Sequence, residues 1–184
     1  MKIFLLRHGQ TDWNLEWRMQ GQTDIPLNEK GILQAEEAAE KYKAIPFDLI
    51  LTSPLVRAKK TAEIIAKPHN LEVKVDQRLK EMNFGEMEGR TPQDDKDNPN
   101  RKYYFEEPEK YVPSKNGETF EEVDARVKSL LKELKQSEGI YNCVLLSSHG
   151  ALCKAILRAV QNKPLSKFWD SPPKENCSLI ELEI

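Results

Sequence analysis

Two histidines stand in the same local setting. Phe4-Leu5-Leu6-Arg7-His8-Gly9 and Val144-Leu145-Leu146-Ser147-Ser148-His149-Gly150 both run from an apolar stretch into His-Gly. An apolar run that breaks at Gly and passes toward a helical pattern reads as a strand feeding a helix, and parallel α/β sheets bind ligands at the carboxyl ends of their strands. Both imidazoles are therefore expected at one crevice, with a glycine after each letting a ligand approach the backbone. Either histidine alone could equally top its strand and bond locally; the pair, with Arg7 beside one of them, points to a site. Arg57 joins them if its helix starts at a neighbouring strand exit, although taken alone it reads as an exposed helix arginine. Two guanidinium groups and two imidazoles make a small cationic pocket for a dianion such as phosphate, held by fork-shaped donors and backbone N–H groups. Nearby guanidinium charge opposes protonation of His8 and keeps its lone pair available for attack.

The elements that must position these groups follow from periodicity and capping signals. Residues 3–6 read as a buried strand, and residues 27–42, opening near Asn28, as a helix. Residues 47–52 form a second buried strand, with Ser53 as N-cap, Pro54 at the first helical position and a helix to about Lys67. Residues 71–75 give a short strand, 144–148 a buried one and 179–184 an alternating edge strand. Thr119-Phe120-Glu121-Glu122 is a capping box, after which Phe120, Val123, Val127, Leu130, Leu131 and Leu134 keep helical spacing, a core stripe. Residues 91–118 break the pattern: Pro92, Pro99, Pro108 and Pro113 punctuate acidic residues mixed with Tyr103, Tyr104, Phe105 and Tyr111. This segment reads as an inserted cap, the alternative being a solvated loop unusually rich in aromatics.

The 184 residues fit one domain with a core of its own. Strand and helix alternation predicts a three-layer α/β/α sandwich with a mostly parallel central sheet. Cys143, Cys153 and Cys177 are odd in number and two lie in apolar patterns, which suggests reduced thiols in a cytoplasmic protein. No Cys or His pair has metal-ligand spacing, so no metal is expected. The apolar run at residues 1–6 is too short for a secretory leader, and no window reaches the roughly 18 apolar residues of a membrane span. A net charge of −2 with mixed signs gives no broad basic surface for nucleic acid.

Several blocks match a known family in order. Leu6-Arg7-His8-Gly9-Gln10-Thr11-Asp12-Trp13-Asn14, then Gln20-Gly21-Gln22-Thr23-Asp24-Ile25-Pro26-Leu27-Asn28-Glu29-Lys30-Gly31, Ser53-Pro54-Leu55-Val56-Arg57-Ala58, Glu81-Met82-Asn83-Phe84-Gly85-Glu86-Met87-Glu88-Gly89, Gly117-Glu118-Thr119 and Ser148-His149-Gly150 span nearly the whole chain. The sequence resembles the histidine phosphatase superfamily in its phosphoglycerate-mutase-like branch. The resemblance implies a phosphoglycerate mutase-like fold and no cofactor. It makes His8 the nucleophile that becomes phosphohistidine, and Arg7, Arg57 and His149 the groups that hold the phosphoryl oxygens. Asn14, Gln20, Gly21 and Gly150 complete the pocket, and Glu81 is the proton donor. These roles suit the chemistry, since phosphoryl transfer needs fixed cations for spreading charge and an acid for a basic leaving alkoxide. Without the resemblance Glu81 would read as an ordinary surface carboxylate.

Within the branch, the cofactor-dependent mutases are longer and carry a Tyr and paired basic residues after the Glu block. Here that stretch reads Gln93-Asp94-Asp95-Lys96-Asp97-Asn98-Pro99-Asn100-Arg101-Lys102-Tyr103-Tyr104, acidic before it is basic. An acidic cap should repel a second phosphate unless Arg101 and Lys102 turn inward. Hydrolysis of a small-molecule phosphomonoester is the expectation, by a monomer or homodimer similar to the broad-specificity and α-ribazole phosphate phosphatases. The alternatives are a cofactor-dependent phosphoglycerate mutase or, in a different class, a non-catalytic phosphate- or phosphopeptide-binding module.

Overall fold

Alternation along the strands decides which helices cover which face of the sheet. The computed structural model describes residues 1–170 and 175–184. In chain order its elements are β1 (Lys2–Arg7), α1 (Asp12–Leu15), α2 (Glu29–Tyr42), β2 (Leu49–Thr52), α3 (Val56–Ala66), β3 (Val73–Val75), α4 (Pro99–Glu106), α5 (Phe120–Gln136), β4 (Cys143–Ser148), α6 (Gly150–Val160) and β5 (Leu179–Glu183), joined in places by single 3-10 turns. The sheet order is β3-β2-β4-β1-β5. β1 pairs in parallel with β4, from Lys2 opposite Cys143 to Arg7 opposite Ser148. β2 is parallel to both β4 and β3, and β5 runs antiparallel along the other edge of β1.

Phe4, Leu6, Ile50 and Leu145 point to one side and pack on Ala35, Ala38 and Ala39 of α2 and Ala62 and Ile65 of α3. Ile3, Leu5, Val144 and Leu146 point to the other, against Val123, Val127 and Leu130 of α5 and Leu152, Ala155 and Ile156 of α6. Strands buried on both faces read as unbroken apolar runs, which is why β1 and β4 were legible as such. The result is the expected three-layer α/β/α sandwich with one antiparallel edge strand.

Asn28 caps α2 through Oδ1, which accepts from Gly31 N at 2.9 Å. Thr119 and Glu122 form the predicted capping box on α5. The expectation for Ser53 is corrected. Its N–H still donates to Ser147 O, so the chain is extended there, and α3 starts later with Leu55 as N-cap. The residue before a proline is biased to extended backbone, and Pro54 enforces it. The cap carboxylate comes from afar: Val56 N donates to Asp24 Oδ1 at 2.7 Å.

Residues 91–118 include α4, capped by Asn98 with Pro99 in its first turn. Tyr104 is buried with its ring 5.1 Å from Phe84, 5.7 Å from Phe120 and 5.1 Å from Trp169. The buried Asp95 carboxylate pairs with Arg90 at 2.9 Å and Arg101 at 3.6 Å. The aromatic residues thus anchor this segment to the core on the α5 side of the sheet.

Candidate active site

The parallel register of β1 and β4 puts Arg7 opposite Ser148, so both strand exits open at one end of the sheet. His8 N donates to Ser148 O at 3.0 Å, and the two imidazole centroids are 5.2 Å apart. The rest of the crevice comes from the loop after α1, the first turn of α3, the stretch after β3 and the start of α6. These line a pocket of about 240 Å³ whose walls include Arg7, His8, Asn14, Gln20, Gly21, Arg57, Glu81 and Gly150. His149 is fully buried beside His8 and is not itself among the lining residues.

His8 Nδ1 lies 2.7 Å from Gly9 O. A carbonyl only accepts, so Nδ1 carries the proton and Nε2 keeps the lone pair. Burial, then the charges of Arg57 and Arg7, push the imidazole well below its usual pKa. Gly9 N in turn donates to Thr61 Oγ1 at 3.0 Å, and Thr61 donates to Arg57 O at 2.7 Å, which ties the strand exit to α3. The role expected of Gly9 changes: a Cβ there would come within 2.4 Å of Gly31 O, so its missing side chain admits the backbone of α2. Gly150 does line the pocket, and a methyl on it would sit 3.9 Å from both Arg7 Nε and Glu81 Oε2.

Arg57 is wholly buried. It donates from Nη1 to Thr23 O at 2.8 Å and from Nη2 to Gly21 O at 2.6 Å, while Nε has no partner among the described residues. Burial lowers its pKa to about 10, still a cation at neutral pH. The accepting loop is held by Glu88, which receives Gln22 N at 2.8 Å, Thr23 N at 2.8 Å and the Thr23 hydroxyl. Gly21 adopts φ +52°, and a Cβ there would lie 1.9 Å from Glu88 Oε1. Asn14 Oδ1 accepts from Thr11 N at 3.1 Å, which leaves Nδ2 as the donor of its amide.

Glu81 sits on the N-terminus of α6. Oε2 accepts from Ala151 N at 3.1 Å, and Oε1 from Leu152 N at 3.0 Å and Met82 N at 2.9 Å. Oε2, with the single donor, keeps a lone pair for proton exchange. Arg126 of α5 fixes the main chain around it, donating to the carbonyls of Arg78 and Lys80 at 2.7 Å and of Glu81 at 3.2 Å. Glu118 pairs with Arg126 at 2.9 Å and accepts Asn83 N at 2.8 Å.

All nine residues expected at the site lie around this crevice. The outer wall includes Phe84 and Phe105, the latter from the expected cap, and three residues that sequence reasoning missed, Arg18, Lys154 and Trp169. Lys154 Nζ stands 5.3 Å over the Trp169 ring. No local pattern marks Arg18, Lys154 or Trp169; only the tertiary fold gathers them. Tyr103 and Tyr111 are absent from the wall, and Arg101 is turned to Asp95. Among the described residues no cluster of three or more His, Cys, Asp or Glu could hold a metal ion, and no helix is long and apolar enough to cross a membrane.

The chain is similar to known proteins over most of its length. The uncharacterized phosphatase PhoE of Bacillus subtilis is 39% identical over 158 residues, 86% of this chain and 76% of that protein. A probable phosphoglycerate mutase GpmB of Cronobacter sakazakii is 36% identical over 168 residues, 89% of this chain and 76% of its own length. The structure of a mycobacterial glucosyl-3-phosphoglycerate phosphatase complexed with VO3 superposes with a TM-score of 0.91 at 35% identity, covering 99% of this chain and 90% of that one. The pattern of the histidine phosphatase superfamily (branch 1) matches residues 3–184, and this chain belongs to that superfamily.

Proposed function

We propose that the protein is a phosphatase that hydrolyses small-molecule phosphomonoesters through a phosphohistidine at His8, without a metal. The observation that carries this reading is the fixed tautomer of His8: with Nδ1 bonded to Gly9 O, Nε2 is an uncharged nucleophile beside Arg7 and Arg57. Attack of Nε2 on phosphorus expels the alcohol oxygen, which takes a proton from Glu81. Water then attacks phosphorus, gives its proton back to the Glu81 carboxylate, and the N–P bond breaks to release phosphate. Arg7, Arg57 and Asn14 supply positive charge and donors to the equatorial oxygens, which is most of what such a transfer asks of a protein. Gln20, Gly21 and Gly150 complete the walls.

Hydrolysis is favoured over mutase chemistry because Arg101, a candidate grip for a second phosphate, is engaged by Asp95, and Lys102 is exposed. The glucosyl-3-phosphoglycerate phosphatase to which the chain is similar supports a phosphorylated metabolite as substrate. We read residues 91–118 as a cap on a single domain, because Phe105 and Tyr104 reach the pocket wall where the leaving group would lie. The three free, buried thiols fit a cytoplasmic setting. The test is phosphate release from para-nitrophenyl phosphate and a panel of phosphorylated metabolites in EDTA. Turnover is expected; binding of phosphate without turnover would favour a binding module, and loss in EDTA a metal enzyme.

A further inference from the structure

Ser53 stands where a helix cap is expected and does not cap. Its residue is fully buried, and its hydroxyl makes two contacts: it accepts Leu55 N–H at 3.2 Å and lies 2.8 Å from His149 Nε2. A hydroxyl has one proton to give, and Nε2 is the one acceptor in reach of it among the described residues. A ring nitrogen that accepts is unprotonated, so an uncharged His149 then carries its proton on Nδ1. Nδ1 is itself buried and has no partner among the described residues. A buried N–H left unmatched is costly, so Nδ1 calls for an acceptor, and the ring stands 5.2 Å from that of the nucleophile.

We propose that Ser53 is a positioning residue that fixes the tautomer of His149 and so presents Nδ1–H to the phosphoryl oxygens. The proposal rests on the phosphatase reading for its ligand, but the tautomer can be measured without turnover. Burial and the charge of Arg57 both hold His149 well below its usual pKa, which agrees with an uncharged ring. The two imidazoles then share one tautomer for opposite ends. Gly9 O takes the Nδ1 proton of His8 and frees a lone pair for attack; Ser53 fills the Nε2 lone pair of His149 and frees a donor. Asp24 takes over the cap of α3, which releases the serine for this contact.

The chain has three histidines, so ¹⁵N-histidine spectra are simple, and His69→Gln assigns the signal remote from the site. In the wild type at neutral pH, His149 is expected with a protonated Nδ1 and a bare Nε2, and its Nδ1–H resonance should move when inorganic phosphate is added. Ser53→Ala should transfer the proton to Nε2 and leave the His8 signals in place, whereas Ser53→Thr, which keeps the hydroxyl, should retain the wild-type tautomer. kcat should fall roughly 100-fold in Ser53→Ala, the lower end of the range for losing a preorganised donor, with KM little changed. A wild-type His149 protonated on Nε2 overturns the proposal, as does a Ser53→Ala protein with the wild-type tautomer. If Ser53→Ala fails to fold, the wild-type spectrum and its response to phosphate decide alone. A wild type with the expected tautomer that turns over no phosphomonoester would overturn the phosphatase reading instead.

Discussion

Replacing His8 by Ala removes the ring whose Nε2 is left bare by the Nδ1 bond to Gly9 O. Rapid quench with ³²P-labelled substrate should trap an acid-labile phosphoenzyme in the wild type and none in His8→Ala; label retained by the variant would move the nucleophile elsewhere. Glu81→Gln should depend on the leaving group. An alkyl phosphate leaves as a strongly basic alkoxide and should slow by roughly 10²- to 10⁴-fold, the usual worth of a general acid. Para-nitrophenyl phosphate, whose phenolate departs unassisted, should suffer far less. Because Glu81 also accepts three backbone N–H groups, including two from the first turn of α6, a melting curve must accompany the rates. Equal losses on both substrates with a lowered melting point would assign it to structure. His8, His149 and Arg57 were legible because each follows a strand exit that local pattern reveals. The part played by Ser53 was not, since a serine before proline ahead of a helix carries the signal of a cap, and only the tertiary approach of His149 and Asp24 reassigns it.

The outer wall of the pocket draws on both the loop after α6 and the α4 segment. Substrate choice should therefore follow Phe105 and Trp169, which line the pocket, and not Tyr103 or Tyr111, which do not. Phe105→Ala and Trp169→Ala are expected to reorder relative kcat/KM across a panel of phosphomonoesters, while Tyr103→Ala preserves the order. An unchanged ranking in all three variants would reduce the segment to a lid without selectivity. The aromatic content of residues 91–118 was visible in the sequence, but which rings turn to the core and which to the pocket depends on how α4 docks against Phe120 and Trp169. In the same way Asp24, with no helical pattern around it, caps a helix far along the chain. Asp24→Ala should cost about 0.5–2 kcal/mol in urea unfolding, the range for losing a helix cap.

Two buried imbedded imidazoles make the folded protein as a whole sensitive to acid. His8 and His149 are held well below their usual range, first by burial and then by Arg57, whereas in the unfolded chain they titrate near 6.5. Their contribution is complete above that pH. As pH falls through and below it, the unfolded chain binds protons that the folded one refuses, so stability declines, by up to about 1.4 kcal/mol per pH unit for each ring. Urea unfolding between pH 7.5 and 5 should show this slope, and His149→Gln should flatten it; an unchanged slope would place the acid sensitivity in the carboxylates. The layered architecture was readable from alternating apolar runs, but strand order was not, because β1 pairs with segments from the far end of the chain. That pairing has a consequence for biosynthesis. β1, apolar along both faces, is made long before its two neighbours, residues 143–148 and 179–183. The two strand exits of the site therefore cannot meet until residues 143–148 have been made, and β1 stays unmatched until then, a demand that long-range pairing makes on chaperones. A chain halted before Leu179 leaves one side of β1 as an open edge, and such fragments should aggregate rather than turn over substrate.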